Sequence, residues 1–467
     1  MTDKPTTDAL AFFDDLLTYK FPYLQIPSIS IAVAKNSKVI YTKAIGQADV
    51  ANNIAASSDT IYRVASNSKM FTAVAIMQLE EKQLLRLDDV AIAYVPWLAD
   101  HQDRRWRQVT IRQLLSHSAG MIRDSSRSGY WGLQHPFPSD EALKEVILND
   151  SLVFDPNTTM KYSNYGFGLL GLIIANASGV SYADYVTKNI ITILKLKNIY
   201  PDYFDAIKHK VATGYTGKTP TGLRLPIESS QTNSLMAATG FCSTPSDTSL
   251  FAAELYNDST LLLSIESKRE MRRIHTKARY GRGSKQFYGL GLGSGDINGK
   301  TAYGHGGGYP GHLTETIFIP EMDISICVII NTRGVGPAKF AKTIIECIRW
   351  FSDNHVKSPK HDLTKFTART GTIWGEIDTV GYGNSIISSF TDIPFDFENA
   401  ERLMRVNDTT VRTAKTSSFA GPGETMRYIY KDSGVLDYID DQGLKIYPAS
   451  VRDKEWETLN MIALSTK

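Results

Sequence analysis

Apolar positions along the chain change spacing three times. From Ser28 to Ala34 and from Lys38 to Ile45 they are dense and β-branched, and Asn36-Ser37 between them predicts a hairpin. Ahead of this pair, Ala9 to Tyr19 is an amphipathic helix pattern that Phe21-Pro22 should end. After Ser66 the spacing turns helical, with Phe71, Val74, Met77 and Leu79 as one apolar stripe. Thr110 to His117 reads as a short capped helix ending before Gly120. Residues 121 to 140 are turn-rich and carry Tyr130 and Trp131, a plausible cleft rim. Helical spacing returns at Asp140 to Asn149, Tyr165 to Ala177 and Ser181 to Leu194. A turn at Thr239 to Asp247 then caps a helix reaching about Tyr256. From Tyr288 the texture is extended again: Ala302 to Gly304, Leu313 to Ile319 and Ile324 to Asn331 predict three strands, and Ala338 to Phe351 a closing helix.

Strands at both ends of this stretch, with helices between, imply one sheet completed by distant parts of the chain. The fold class is therefore α+β, an antiparallel sheet beside a helical lobe. Residues 353–360 are polar and read as a linker. Beyond them, Gly371 to Val380, Asn384 to Phe390, Thr410 to Ser417, Glu424 to Tyr430 and Val435 to Tyr447 are short strand candidates. Turn signals at Gly421-Pro422-Gly423 and Asp432-Ser433-Gly434 separate some of them, as in a small all-β barrel. The expected organisation is a catalytic domain over 1–352, the linker, and a barrel over 361–467.

Composition narrows the function. The chain has 467 residues, of which 42% are hydrophobic and 21% charged, as in ordinary globular proteins. With 51 basic against 49 acidic residues, nothing points to nucleic acid or an anionic membrane as partner. Cys242, Cys327 and Cys347 form no CxxC pair, which argues against a zinc site or a disulfide framework. Met1 to Asp8 lacks the build of a signal peptide, and Gly166 to Ala177 is too short to span a bilayer, so a cytoplasmic location is expected.

Three stretches carry candidate chemistry. In Ser66-Asn67-Ser68-Lys69 a serine stands one helical turn before a lysine, so a neutral amine could take the hydroxyl proton and make a nucleophile. An N-cap serine followed by a solvated lysine would look the same. In Lys161-Tyr162-Ser163-Asn164 the phenol and the amide point the same way on extended backbone, placed to relay a proton and to hold a carbonyl. In His305-Gly306-Gly307-Gly308 the glycines let a substrate backbone approach a strand edge, whose amides can face an oxyanion. Those residues could also be the HGGG loop of α/β-hydrolases, but the chain has no GxSxG elbow, and such a loop precedes its nucleophile.

Taken in order, SxxK, YxN and HxG resemble the signatures of the serine β-lactamase and penicillin-binding-protein superfamily over roughly residues 10 to 352. Leu114 to Gly120 is similar to the LLSHTSG stretch of its class C-like branch, and Ser243 to Asp247 to a segment following a glycine turn there. The resemblance implies a β-lactamase/transpeptidase-like domain with Ser66 as acylated nucleophile, Lys69 as base and Tyr162 as proton relay. It implies Asn164 and His305 as substrate contacts, the Gly307 and Gly308 edge beside them, and an oxyanion hole from the N–H groups of Ser66 and Gly308. His305 stands where penicillin-recognising members have lysine, which moves the expected substrate from β-lactams to amides, small peptides or esters, as in D-aminopeptidases, amidases and esterases of this superfamily. The C-terminal module resembles the lipocalin-like domain of some family peptidases. No cofactor or metal is implied, and a homo-oligomer is compatible. A non-hydrolytic acyl-enzyme sensor, a pseudoenzyme binding module and an acyltransferase are the alternatives. His117 and His312 read as structural.

Overall fold

The computed structural model describes residues 3–125, 128–277, 287–354, 362–372, 375–382, 385–391, 400–415 and 422–452. By packing, the chain divides into two compact units, residues 21–341, and residues 1–20 together with 342–467. Two helices cross this division, α1 (Lys4–Leu24) near the N-terminus and one over Pro337–Asn354. Most of the linker expected over 353–360 lies outside the described residues, as does Gly421 of the turn expected at 421–423.

The larger unit is built on a nine-stranded antiparallel sheet. Its strands are β1 (Ser28–Lys35), β2 (Lys38–Asp49), β3 (Ile54–Ala55), β4 (Thr276–Lys277), β5 (Phe287–Tyr288), β6 (Gly293–Ile297), β7 (Lys300–Tyr309), β8 (His312–Ile319) and β9 (Ile324–Ile330). The order is β3-β2-β1-β9-β8-β7-β6-β5-β4, so the first and last long strands meet at the centre. The hairpin turn at Asn36-Ser37 has both residues at positive φ, 50° and 54°, which matches the right-handed twist of its strands. All seven residues of β9 are buried, which explains its unbroken apolar run.

Three expectations change in the structure. Helix α1 runs through Pro22 to Leu24, because a proline in the last turn forfeits only one backbone bond. The helix after Ser66, α2 (Ser68–Glu81), is buried on every side from Ser68 to Leu79, so no single stripe faces the core. Phe71 stacks on Phe241 with ring centroids 4.3 Å apart inside the main apolar cluster. The third change is β7, which continues through His305 to Gly308 as far as Tyr309. Glycine's low strand propensity hid this extension, and pairing with β8 supplies what propensity does not.

The second unit contains a closed antiparallel barrel of eight strands, and it fits a lipocalin-like domain. The candidate over Val435 to Tyr447 contains a turn and two strands, Leu436–Asp441 and Leu444–Pro448, and the candidate over Gly371 to Val380 falls on two strands, Ala368–Thr372 and Gly375–Tyr382, with residues 373 and 374 outside the described residues. Glu401–Arg405, too polar to stand out, is a further strand. Phe366, Leu403, Val411, Tyr428 and Ile439 fill the interior. Lys20 reaches the fully buried Asp378 at 3.0 Å, and Arg369 holds the same carboxylate at 2.8 Å. Among the described residues, no single helix is long and apolar enough to cross a membrane.

Candidate active site

Backbone geometry presents Ser66. The short strand Tyr62–Arg63 pairs with Cys242–Ser243, and the chain then turns through Ala65, whose φ of 51° is a left-handed conformation that costs a non-glycine residue of order 1 kcal/mol. A single 3₁₀ turn over Ala65–Asn67 leads into α2. Side chains pin this turn: Asn67 Nδ2 donates to Val64 O at 3.0 Å, and Ser68 Oγ donates to Ala65 O at 2.6 Å while accepting from Phe241 N at 3.0 Å. From Ile61 to Leu79, Ser66 alone is not buried. The chain opens to solvent at its candidate nucleophile.

Lys69 is fully buried and its amine has three oxygen neighbours: Ser66 Oγ at 3.2 Å, Asn164 Oδ1 at 2.8 Å and Ala238 O at 2.9 Å. Burial pushes its pKa well below the ordinary lysine value; the Asp124 carboxylate pulls it back up and the Arg123 guanidinium adds to the fall. A neutral amine has two N–H bonds and one lone pair. Asn164 Oδ1 and Ala238 O can only accept, so they take the N–H bonds and leave the lone pair for the Ser66 proton. Tyr162 OH donates to the same Ser66 Oγ at 2.9 Å. Burial raises the Tyr162 pKa, which keeps its proton on the phenol, while the bond to Ser66 works weakly the other way.

The YxN stretch is seated on His117. Ser163 caps helix α3 (Asn164–Ser178) by accepting from Gly166 N at 2.9 Å, which fixes Asn164 as its first residue. Asn164 donates through Nδ2 to Asp124 Oδ1 at 2.8 Å, so one amide links Lys69 to a carboxylate. His117, itself at φ 56°, packs against Tyr162 with ring centroids 4.2 Å apart and planes tilted by 40°. It grips the chain on both sides of that ring: Lys161 N donates to its carbonyl at 2.7 Å and Ser163 N to its Nδ1 at 3.1 Å. Nδ1 therefore accepts and Nε2 carries the proton. Burial above all, with the basic groups Lys69 and His305 close by, holds its pKa well below the histidine range. Sequence reasoning left His117 as structural; its place in the Leu114 to Gly120 stretch was the available signal.

His305 lies on β7 with its ring 6.2 Å from that of Tyr162. Its Nδ1 is 2.5 Å from Gly306 O, an acceptor, so Nδ1 bears hydrogen and Nε2 can accept from Tyr288 OH at 2.9 Å. Tyr288 was missed, since nothing in its local sequence marks it. Gly307 faces the Ser66 turn: a Cβ there would stand 2.4 Å from Val64 O. Gly308 faces outward and lines a cavity of about 630 Å³ with Arg123, Asp124, Trp131, Lys161 and Arg333. Trp131, expected on a cleft rim, is on that wall, whereas Tyr130 is buried behind it. The structure thus brings Ser66, Lys69, Tyr162 and Asn164 into one bonded cluster, with His305 beside Tyr162 and the two glycines on the adjoining strand. Among the described residues, no group of histidine, cysteine or carboxylate side chains could hold a metal ion.

The β-lactamase family profile matches residues 19–346. The chain belongs to the β-lactamase family. It is 31% identical over 221 residues to Protein flp of Staphylococcus aureus strain MW2, covering 46% of this chain and 43% of that protein. The match thus spans less than half the length of that curated relative. Among solved structures, it is similar to an octameric penicillin-binding protein homologue from Pyrococcus abyssi, with a TM-score of 0.64, 23% identity, and coverage of 94% and 99% of the two chains. It is also similar to the D-amino acid amidase of Ochrobactrum anthropi SV3, with a TM-score of 0.61, 21% identity, and coverage of 75% and 100%. At these identities the two structures show a shared fold alone.

Proposed function

We propose that the protein is a serine hydrolase that works through an acyl-enzyme at Ser66 on small amides, peptides or esters. The observation that carries this reading is Ser66 Oγ held between a buried Lys69 amine at 3.2 Å and the Tyr162 phenol at 2.9 Å. Lys69 takes the hydroxyl proton as Oγ attacks the substrate carbonyl. The oxyanion forms against the backbone N–H groups of Ser66 and Gly308, at the N-terminal end of α2, whose dipole favours negative charge. Tyr162 gives its proton to the departing amine or alkoxide as the tetrahedral species collapses, which leaves a tyrosinate beside the Lys69 ammonium, 4.8 Å from the ring centroid. Water then attacks the ester, with Tyr162 and Lys69 handling its proton in the reverse sense. Asn164 orients Lys69 and offers its amide to the substrate.

His305 bears on substrate class. Its Nδ1 bonds Gly306 O and its Nε2 bonds Tyr288 OH, an arrangement open to a neutral imidazole, whereas a lysine there would offer a fixed positive charge to a β-lactam carboxylate. Weak or absent β-lactam hydrolysis follows. The fold shared with a D-amino acid amidase supports testing D-amino-acid amides. The octameric neighbour supports measuring the assembly state by sedimentation.

The test is incubation with a p-nitrophenyl acyl ester, following nitrophenol release and intact protein mass. Sustained turnover that Ser66→Ala abolishes is the expected result. A stable stoichiometric adduct would instead indicate a sensor. No adduct and no turnover, with a D-amino-acid amide series equally silent, overturns the reading.

A further inference from the structure

We infer that the acyl portion of the substrate carries a carboxylate, bound in the 630 Å³ cavity between Lys161 and Arg333. This rests on the acyl-enzyme reading above and deepens it. Direction comes first. His305 precedes Gly308 by three residues on β7 and its ring is 6.2 Å from that of Tyr162, the proposed proton donor to the leaving group, so the leaving group departs at the His305 end of this strand edge. The cavity lies the other way along the chain, lined by Gly308, Tyr309, Pro310 and Gly311. The part of the substrate that stays attached to Ser66 therefore extends into it.

Charge comes next. The wall carries Arg123, Lys161 and Arg333 against one carboxylate, Asp124. Asp124 is already committed: it accepts from Asn164 Nδ2 at 2.8 Å and Tyr130 OH at 3.3 Å, and Arg123 Nε is 3.0 Å from its other oxygen. Arg123 and Asp124 cancel at contact distance. Lys161 and Arg333 have no carboxylate partner among the described residues. Behind Arg333, Arg224 brings a further guanidinium, whose Nη1 partners among the described residues are uncharged oxygens: Arg333 O at 2.8 Å, Thr332 Oγ1 at 2.6 Å and Thr216 O at 3.0 Å. Glu228, which follows Ile227 of this wall, lines a different hollow. Two unpaired cations in a concave site beside the reacting bond favour an anion, and a planar guanidinium suits a carboxylate. Trp131 on the same wall supplies apolar surface for the methylene chain between the two carbonyl groups. Since His305 offers no fixed charge on the leaving-group side, the positive charge of the site lies on the acyl side.

The test uses three p-nitrophenyl esters of equal length: an adipate with its second carboxyl free, the same ester with that carboxyl methylated, and a 6-aminohexanoate. The expected result is a kcat/KM for the anionic ester roughly tenfold or more above the methylated one, falling with added salt, and lowest values for the cationic ester. Arg333→Gln and Lys161→Gln should each collapse the anionic-to-neutral ratio toward one. Lys188→Gln, which removes the same charge from an exposed helical position, should keep the wild-type ratio. Equal rates for the anionic and neutral esters, or preference for the cationic one, overturn the inference while leaving the hydrolase reading intact. If neither these esters nor a D-amino-acid amide series reacts, the hydrolase reading fails, and binding of the unreactive adipic acid mono-anilide to Ser66→Ala protein decides the site. Binding at least tenfold tighter than its methyl ester, lost in the added Arg333→Gln, supports it; equal binding overturns it.

Discussion

Asp124→Asn isolates the electrostatics of the proposed base. The carboxylate is only 8% exposed and reaches Lys69 through a single amide, with 2.8 Å hydrogen bonds on either side. An asparagine keeps the oxygen that accepts from Asn164, so the link to Lys69 is retained as the charge is removed, while its amide nitrogen takes the place of the oxygen beside Arg123. With the two charges roughly 7 Å apart and an effective dielectric near 20, the lost attraction is about 2.4 kcal/mol, or about 1.7 pH units. The sign follows from the charge lost. A carboxylate stabilises the ammonium, so its removal lowers the Lys69 pKa further and the neutral amine persists to lower pH. The acid limb of kcat/KM, which reports the free enzyme, should move down by about 1 to 2 units, read from ester turnover across pH. Arg123→Gln should move it up, and by less, because that guanidinium is 63% exposed. An acid limb that stays in place in Asp124→Asn, or moves up, refutes Lys69 as the titrating base.

Other perturbations probe neighbouring parts of the structure. Gly307→Ala places a Cβ 2.4 Å from Val64 O and 3.0 Å from Asn67 Nδ2, so β7 must shift off the Ser66 turn, and ester turnover should fall on the order of 10²-fold. Gly308→Ala should lose far less, since its Cβ meets only Leu313 Cδ2, at 3.8 Å. Asp202→Ala strands the fully buried Arg63 guanidinium, 3.4 Å away, and should cost about 3–5 kcal/mol in urea unfolding, part of which Arg63→Met in the same chain restores. Burial beside Arg63 lowers His312 to about 3 from an ordinary 6.5, so the unfolded chain binds that proton first. Stability from this group is complete above pH 6.5 and lost as pH falls toward 3, about 3 kcal/mol by pH 4, a slope that His312→Gln should flatten in unfolding measured against pH.

The sequence revealed most where one local rule sufficed. Asn36-Ser37 announced its hairpin, Thr110 its cap, and the apolar run of β9 its central place. It revealed less where pairing overrode propensity, as in the glycines of β7, or where polarity concealed a strand, as at Glu401–Arg405. In the candidate site, three spaced motifs singled out Ser66, Lys69, Tyr162, Asn164 and His305, side chains that the fold brings together. His117 and Tyr288 escaped because their parts arise from tertiary neighbours: His117 packs against a ring 45 residues away, and Tyr288 donates across to His305. Lys161 and Arg333 escaped for a related reason. An unpaired cation is visible only once every carboxylate that might have reached it has been placed.

Sheet order also sets a timetable. Ile29 on β1 lies opposite Ile330 on β9, and Gly308 lies between them in sequence. A ribosome adding about 5–20 residues per second needs roughly 15–60 seconds between those two isoleucines. During that interval the β1–β2 hairpin presents a bare apolar edge, Ile29 to Val33, of the kind that pairs with other chains. Ser66, Lys69, Tyr162 and Asn164 are all synthesised within it, before the strand carrying Gly308 has emerged. On the proposed mechanism, a nascent chain therefore carries Ser66 before the Gly308 N–H that would face its oxyanion has been made.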